Sequence, residues 1–247
     1  MSDSVVVIIP CYNEDKRLAV EAFLSFCNQS NNQNISFLFV NDGSSDNTIK
    51  VLSTLEKSLP NNVHVLDLKK NVGKAEAIRK GMLYLDKNNY SFIGYFDADL
   101  ATPLEELENL IAHTKKQTSP YLVMGSRVKL LGSTEIKRKM RRHYIGRIFA
   151  TVVSNMLNLP VYDTQCGAKV IKSDIVESLF EKPFLSKWLF DVELLFRLKQ
   201  NYPDFENRIV EVPLKKWEDK DGSKIGLTYF LRAPFDLLKI YFKYSRS

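Results

Sequence analysis

Short apolar runs rich in β-branched and aromatic residues alternate along the chain with longer segments whose apolar positions recur every three or four residues. That alternation predicts strands connected by helices, an α/β fold around a largely parallel sheet. Val5–Ile9 is the first expected strand, and Pro10-Cys11-Tyr12-Asn13-Glu14 is the loop leading into a helix that carries Leu18, Ala22 and Phe26. Phe37–Val40 is the second. The cluster Asn41–Asp46 that follows is dense in Asx and Ser turn and cap formers, and a helix with Ile49, Leu52 and Leu59 on one side comes after it. Val63–Leu66 reads as a third strand, and Asn71-Val72-Gly73-Lys74 opens the helix of Ala75, Ile78, Met82 and Leu85. Phe92–Phe96 and Tyr121–Gly125 are two more strands, the latter ending in Ser126-Arg127.

Two helices in the second half have a different character. Ile136, Met140, Tyr144, Ile148, Val152 and Met156 recur every four residues, with Ile145, Phe149 and Val153 widening the apolar side, so a helix is expected over about 136–159. From Ile136 to Tyr162 the chain holds Lys137, Arg138, Lys139, Arg141, Arg142 and Arg147 and no acid. A long basic amphipathic helix is either a membrane-surface element, favoured by about 1 kcal/mol per basic residue near anionic lipid, or a core-packed helix with a solvated face. From Tyr229 to Tyr244 most positions are apolar or aromatic, and after Pro234 the polar residues Asp236, Lys239 and Lys243 form a narrow stripe. Such a helix packs on the domain, makes an oligomer contact or lies in a bilayer interface. The expected organisation is one domain over 1–226 and a C-terminal amphipathic segment over 227–247.

Composition narrows the class. A chain of 247 residues with 45% hydrophobic content can bury one large core without splitting in two. Cys11, Cys27 and Cys166 lie far apart and are odd in number, as expected for reduced thiols in a cytosolic protein. The opening MSDSVVVIIP has too short an apolar run for a signal peptide, and nowhere do 18 apolar residues run together, so no spanning helix is expected. The net charge of +6, from 35 basic and 29 acidic residues, is concentrated in the 136–162 stretch. No stacking platform or recognised motif accompanies it, so nucleic acid is not the expected partner.

The candidate chemistry centres on YFDADLATP, Tyr95 to Pro103. If Phe92–Phe96 is a buried strand, Asp97 and Asp99 leave its carboxyl end, the edge at which open α/β sheets bind ligands. Two oxygen donors there suit Mg²⁺ or Mn²⁺, which takes one or two carboxylates and shares the rest of its shell with water and phosphates. That is the chemistry of a nucleotide-sugar donor; the alternative is a polar strand-to-helix turn. Thr102, Pro103 and Glu105 read as a capping box that starts the next helix. Neither a Walker A spacing nor Gly-x-Gly-x-x-Gly is present.

The ordered set VIIPCYNE, VNDGSSDNT, NVGKAEAIRKG, YFDADLATP and GSR resembles the inverting family-2 glycosyltransferases of GT-A fold, and DTQCGAK, WLFDVELL and EVPLKKW followed by GSK resemble their dolichyl-phosphate glucosyltransferase branch. The resemblance covers nearly the whole chain and implies a Rossmann-like, mostly parallel sheet flanked by helices. It implies that Pro10, Tyr12, Glu14, Asp42, Lys74, Asp97, Ala98, Asp99, Arg127 and Lys224 hold the nucleotide sugar and that Asp97 and Asp99 hold the metal. Asp42 otherwise caps a helix, and Lys74 is otherwise solvated. The implied reaction is transfer of glucose from UDP-glucose to a polyprenyl phosphate at a cytoplasmic membrane face, with Asp99 and Arg127 as the catalytic set; the alternatives are another nucleotide sugar such as GDP-mannose or UDP-N-acetylhexosamine, a glycan or lipid hydroxyl acceptor, for which Asp163 or Asp191 is the candidate base and otherwise a structural cap, or a catalytically silent nucleotide-sugar or lipid-binding module. Lys137, Arg138, Arg141 and Arg142 are the expected contacts to lipid phosphate and anionic headgroups, and the C-terminal helix is a candidate homo-oligomer contact. Two departures stand out. Ala101 occupies the position at which mannose-transferring relatives carry a metal-binding Gln, and Glu218-Asp219-Lys220-Asp221 precedes Gly222-Ser223-Lys224 where those relatives carry an Arg.

Overall fold

The computed structural model describes residues 4–115, 119–137, 140–220 and 227–245, with 140–143 and 227–231 as backbone alone. Its centre is a seven-stranded sheet. The strands are β1 (Val5–Cys11), β2 (Ile35–Asp42), β3 (Val63–Leu68), β4 (Phe92–Phe96), β5 (Leu122–Ser126), β7 (Ala168–Lys172) and β8 (Ile209–Pro213). They lie in the order β3-β2-β1-β4-β7-β5-β8. The pairs β1/β2, β1/β4, β2/β3 and β5/β8 are parallel, while β7 runs antiparallel to both β4 and β5.

Both faces of this sheet are covered, which is why its strands read as continuous apolar runs. Successive side chains point to opposite faces. Val5, Val7, Ile9, Phe37 and Phe39 pack with Phe23 and Phe26 of α1 (Val20–Cys27), Leu52 and Leu55 of α2 (Thr48–Ser58) and Leu107 and Leu110 of α4 (Glu105–Thr114). Val6, Ile8, Leu38 and Val40 pack with Ile78 and Met82 of α3 (Lys74–Tyr84), Leu179 of α6 (Val176–Phe180) and Leu194 and Leu195 of α7 (Phe190–Asn201). Each such fully buried side chain contributes about 1.5–3 kcal/mol relative to exposure.

The expected strands stand where the pattern put them, within a residue or two at most ends, although β1 and β2 run on to Cys11 and Asp42. The helix after the acidic turn differs. α4 begins at Glu105 with Leu104 before it, and no side chain caps it, so Thr102, Pro103 and Glu105 do not form a capping box. Thr102 is instead buried.

The basic helix is also shorter than expected. Glu135–Lys137 is a strand, β6, paired in parallel with β9 (Lys216–Glu218), and helix α5 runs Met140–Leu157. Ile136 is buried beside Trp217 in the register of that ribbon, and Lys137 pairs with exposed Glu218 at 3.2 Å. The every-four stripe continued through a change of element. On α5, Val153 and Leu157 are buried and Phe149 and Met156 are partly buried, whereas Tyr144, Ile145, Ile148 and Val152 are exposed. Helix α8 (Leu227–Tyr244) joins the same core through Leu237 and Ile240, stacks Tyr244 on Phe196, and leaves Phe235, Leu238 and Phe242 exposed. No helix among the described residues is long and apolar enough to cross a membrane.

Candidate active site

The chain proceeds from β1 outward to β2 and β3, then returns to the other side of β1 with β4. At that reversal the loops leaving β1 and β4 diverge and leave a crevice at the carboxyl edge of the sheet, the expected ligand position in an open α/β sheet. A cavity of about 450 Å³ lies there. It gathers Pro10, Tyr12, Glu14, Asp42, Lys74, Asp97, Ala98, Asp99 and Arg127, all anticipated from the sequence. Cys11, Gly73 and Ala101 also line it, as do Arg17, Asn71, Gly167, Trp188, Trp217, Asp219 and Lys220, to which the sequence assigns no role.

The first two loops are laced together by their polar side chains. The Asn13 N–H donates to Ser44 Oγ at 3.0 Å, Ser45 N–H to Asn13 Oδ1 at 2.9 Å, and Glu14 N–H to Thr48 Oγ1 at 2.8 Å. Asp42 closes the third side. Its carboxylate is buried and accepts from the Val72 and Gly73 N–H groups at 2.7 and 2.9 Å, so it pins the segment entering α3 and not the helix that follows it in sequence. Gly43 and Gly73 make this turn geometrically possible: both have positive φ, and a Cβ on Gly43 would lie 2.3 Å from the Lys70 carbonyl carbon. Lys74, the first residue of α3, thereby reaches Asp97 and pairs with it. Burial works against the Lys74 charge, but Asp97, Asp191 and Asp99 outweigh it and raise its pKa.

The acidic turn is tight. Leu100 adopts φ +49°, uncommon for a residue with a branched side chain, while Asp99 Oδ1 accepts from Ala101 N–H at 3.0 Å. Burial, and then the charge of Asp97, push the Asp99 carboxyl above its usual range. Asp97 and Asp99 line the same cavity, with Lys74 paired to Asp97 and its charge felt by Asp99, and with water and phosphate oxygens their carboxylates would suit Mg²⁺ or Mn²⁺. No cluster of three or more His, Cys, Asp or Glu ligands occurs among the described residues, so protein atoms would supply only part of the shell.

Arg127 sits at the end of β5. Its Nε and Nη2 donate to Asp163 at 2.6 and 2.7 Å, its backbone N–H donates to Asp163 at 3.0 Å, and its guanidinium lies 5.3 Å from the Trp217 ring centroid. Burial opposes this charge, but Asp163 more than offsets it and raises the pKa. Asp163 is therefore the bidentate partner of Arg127. Asp191 is not in the wall of this cavity. It is buried on α7, accepting from Tyr95 OH and from Lys169 Nζ. The two carboxylates weighed as bases are thus engaged by cations, and burial, then Asp163, push the buried Cys166 thiol up to about 12. A second cavity of about 200 Å³ adjoins the first through Arg127, with Lys129, Arg147, Phe149, Tyr162 and Asp163 on its wall. Of the remaining candidates, Lys137 is on β6, Arg138 and Lys224 lie outside the described residues, and so do the side chains of Arg141 and Arg142.

The pattern of loops and acids at this edge has a counterpart in sequence. A glycosyl transferase family 2 model matches residues 6–180. The chain belongs to glycosyl transferase family 2. Among family 2 relatives, a dolichyl-phosphate beta-glucosyltransferase of Drosophila melanogaster is 32% identical over 96% of this chain and 74% of its own length. Those of Dictyostelium discoideum and Homo sapiens are 31% and 30% identical, over 96% of this chain and 74% and 75% of theirs. In solved structures, glucosyl-3-phosphoglycerate synthase from Mycobacterium tuberculosis, in complex with Mn²⁺, UDP-glucose and phosphoglyceric acid, superposes with a TM-score of 0.70 at 15% identity, covering 97% of this chain and 80% of that one. A mannosyltransferase from Pyrobaculum calidifontis in complex with GDP-Man and Mn²⁺ gives 0.67 at 17% identity, covering 100% and 65%. The fold is GT-A, a mostly parallel sheet flanked by helices, and the chain is a glycosyltransferase.

Proposed function

We propose that this enzyme transfers glucose from UDP-glucose to a long-chain polyprenyl phosphate of the dolichyl type, with inversion, at the cytoplasmic face of a membrane. The observation that carries this reading is the junction of the two cavities at Arg127. One holds the carboxylates of Asp42, Asp97 and Asp99; the other is rimmed by Lys129 and Arg147 and walled by α5, whose Ile145, Ile148 and Val152 are exposed. A soluble acceptor needs no such apolar ridge, whereas a prenyl chain anchored in a bilayer brings its phosphate to the surface beside one. The relatives' names point the same way.

The chemistry follows from an acceptor that needs no base. A phosphate monoester has a second pKa near 6 and is mostly a nucleophilic dianion at neutral pH. The protein's work is then to hold that dianion in line with the anomeric carbon and to offset charge on the leaving diphosphate. Tyr12, Glu14 and Asp42 hold the nucleoside end, Asp97 and Asp99 would hold Mg²⁺ or Mn²⁺, and Lys74 faces the diphosphate. A bound cation there supplies Lewis-acid stabilisation of the leaving group. Arg127 and Arg147 attract the acceptor phosphate.

Incubation with a panel of nucleotide sugars, Mn²⁺ and polyprenyl phosphate in anionic vesicles, reading both nucleotide release and glycolipid, tests the reading. Glycolipid from UDP-glucose above all other donors is expected. Another preferred donor overturns the sugar assignment, and transfer only to water or a soluble hydroxyl overturns the acceptor.

A further inference from the structure

Lys169 is a fully buried lysine in the middle of a sheet, on β7 between β4 and β5. Such a charge survives only when its hydrogen-bonding capacity is filled. Its Nζ donates to Thr164 O at 2.9 Å, to Cys166 O at 3.0 Å and to the carboxylate of Asp191, which uses all three ammonium donors. Asp191 in turn accepts from Tyr95 OH. Two of the three contacts are to carbonyls of the turn 163–167, and that turn touches both halves of the site. At one end Asp163 takes the bidentate bond from Arg127; at the other the Gly167 carbonyl accepts from Asp97 N–H at 3.1 Å. Midway, Gln165 Nε2 donates to the carbonyl of Trp188, a wall of the larger cavity.

We infer that Lys169, neutralised by Asp191, is a positioning residue that fixes the 163–167 turn and with it the separation between the Asp97 carboxylate and the Arg127 guanidinium. In-line transfer requires donor and acceptor phosphates to be held at a set distance, and a displacement of about 1 Å costs on the order of a hundredfold in rate. Asp191 acts here as the counter-ion of that post, and no proton need leave the acceptor through it. This inference rests on the proposed transfer for its kinetic arm, while its binding arm needs only the donor cavity.

Replacing Lys169 or Asp191 singly leaves a buried charge without its partner, and such a variant can fail to fold. The decisive variant is therefore Lys169→Met with Asp191→Asn, which removes both charges and leaves Tyr95 an acceptor. Its thermal midpoint is expected within about 5 °C of wild type, since neutral replacements of a buried pair are often tolerated. Its kcat on lipid phosphate is expected to fall on the order of a hundredfold, with KM for the acceptor little changed. Its affinity for UDP in Mn²⁺, by calorimetry, is expected to weaken about tenfold through Asp97, which is 1.4 kcal/mol. A folded double variant with wild-type kcat and wild-type UDP affinity makes the pair purely structural and overturns the inference. If the wild type glycosylates no lipid phosphate, the functional reading fails, and the UDP affinity of the same variant still decides the role of Lys169.

Discussion

Gly167 lies so close beneath Asp97 that a Cβ built on it would stand 2.1 Å from Oδ2, well inside any real contact. The glycine is therefore what leaves room for the Asp97 carboxylate where it stands. Gly167→Ala is expected to displace the Asp97 carboxylate while leaving both cores intact, because the clash is confined to one side chain. Circular dichroism should match wild type while Mn²⁺-dependent transfer falls at least about tenfold and the Mn²⁺ concentration for half-activity rises.

Asp99→Asn removes one of the two carboxylates without changing shape. Transfer should fall by at least about a hundredfold, and excess chelator should silence the wild type. Since the Asp99 pKa is raised by burial and by Asp97, its carboxylate form is disfavoured in the free protein, so neutralising it should not lower the thermal midpoint. Full activity in the variant or in chelator contradicts metal-assisted transfer.

Asp42→Ala is expected to act on stability and binding together. Two backbone N–H groups, of Val72 and Gly73, lose their acceptor, at a cost of about 2 kcal/mol, equivalent to about 4–8 °C in midpoint for a chain of this size. UDP affinity should fall as the entrance to α3 loosens. Calorimetry and melting of the same sample separate the effects: unchanged affinity beside a lower midpoint would leave Asp42 a turn anchor alone.

Arg127→Lys keeps the charge and loses the fork that engages both oxygens of Asp163. Turnover on lipid phosphate is expected to drop on the order of a hundredfold, with UDP affinity little changed. Equal turnover would remove Arg127 from the acceptor side.

For membrane contact, the surface geometry picks different residues from the charge pattern. Ile145, Ile148 and Val152 are 52%, 68% and 44% exposed on α5, so replacing all three by Ser should leave the melting midpoint unchanged and release the protein from anionic vesicles in flotation. Lys137→Ser should change flotation little, because Lys137 pairs with Glu218 on the β6/β9 ribbon. Flotation of the triple variant equal to wild type contradicts docking through α5.

The core of the fold was legible because strands buried on both faces announce themselves as apolar runs, and the acids at their ends fall at one edge by topology alone. What stayed hidden was hidden for physical reasons. β7 contains a buried lysine, and burial of Lys169 depends on Thr164, Cys166 and Asp191, partners that no periodicity reveals. β6 and β9 are three residues each and exist only because they pair across some eighty residues, so a four-residue repeat ran on through Ile136 unbroken. The capping box at Thr102 failed because the turn before α4 follows Leu100 into the left-handed region and carries Thr102 inward. The residues singled out from Pro10 to Arg127 line one cavity together, whereas Gly167 was visible only as part of a motif whose place needs the third dimension.

The chain contains two tryptophans, Trp188 and Trp217, and both stand in the wall of the larger cavity. Intrinsic indole emission therefore comes wholly from side chains that line this cavity. Titration with UDP, with Mn²⁺ or with a polyprenyl phosphate can be followed optically in the unlabelled protein, and Trp217→Phe assigns the remaining signal to Trp188. The candidate site thus carries its own optical reporter.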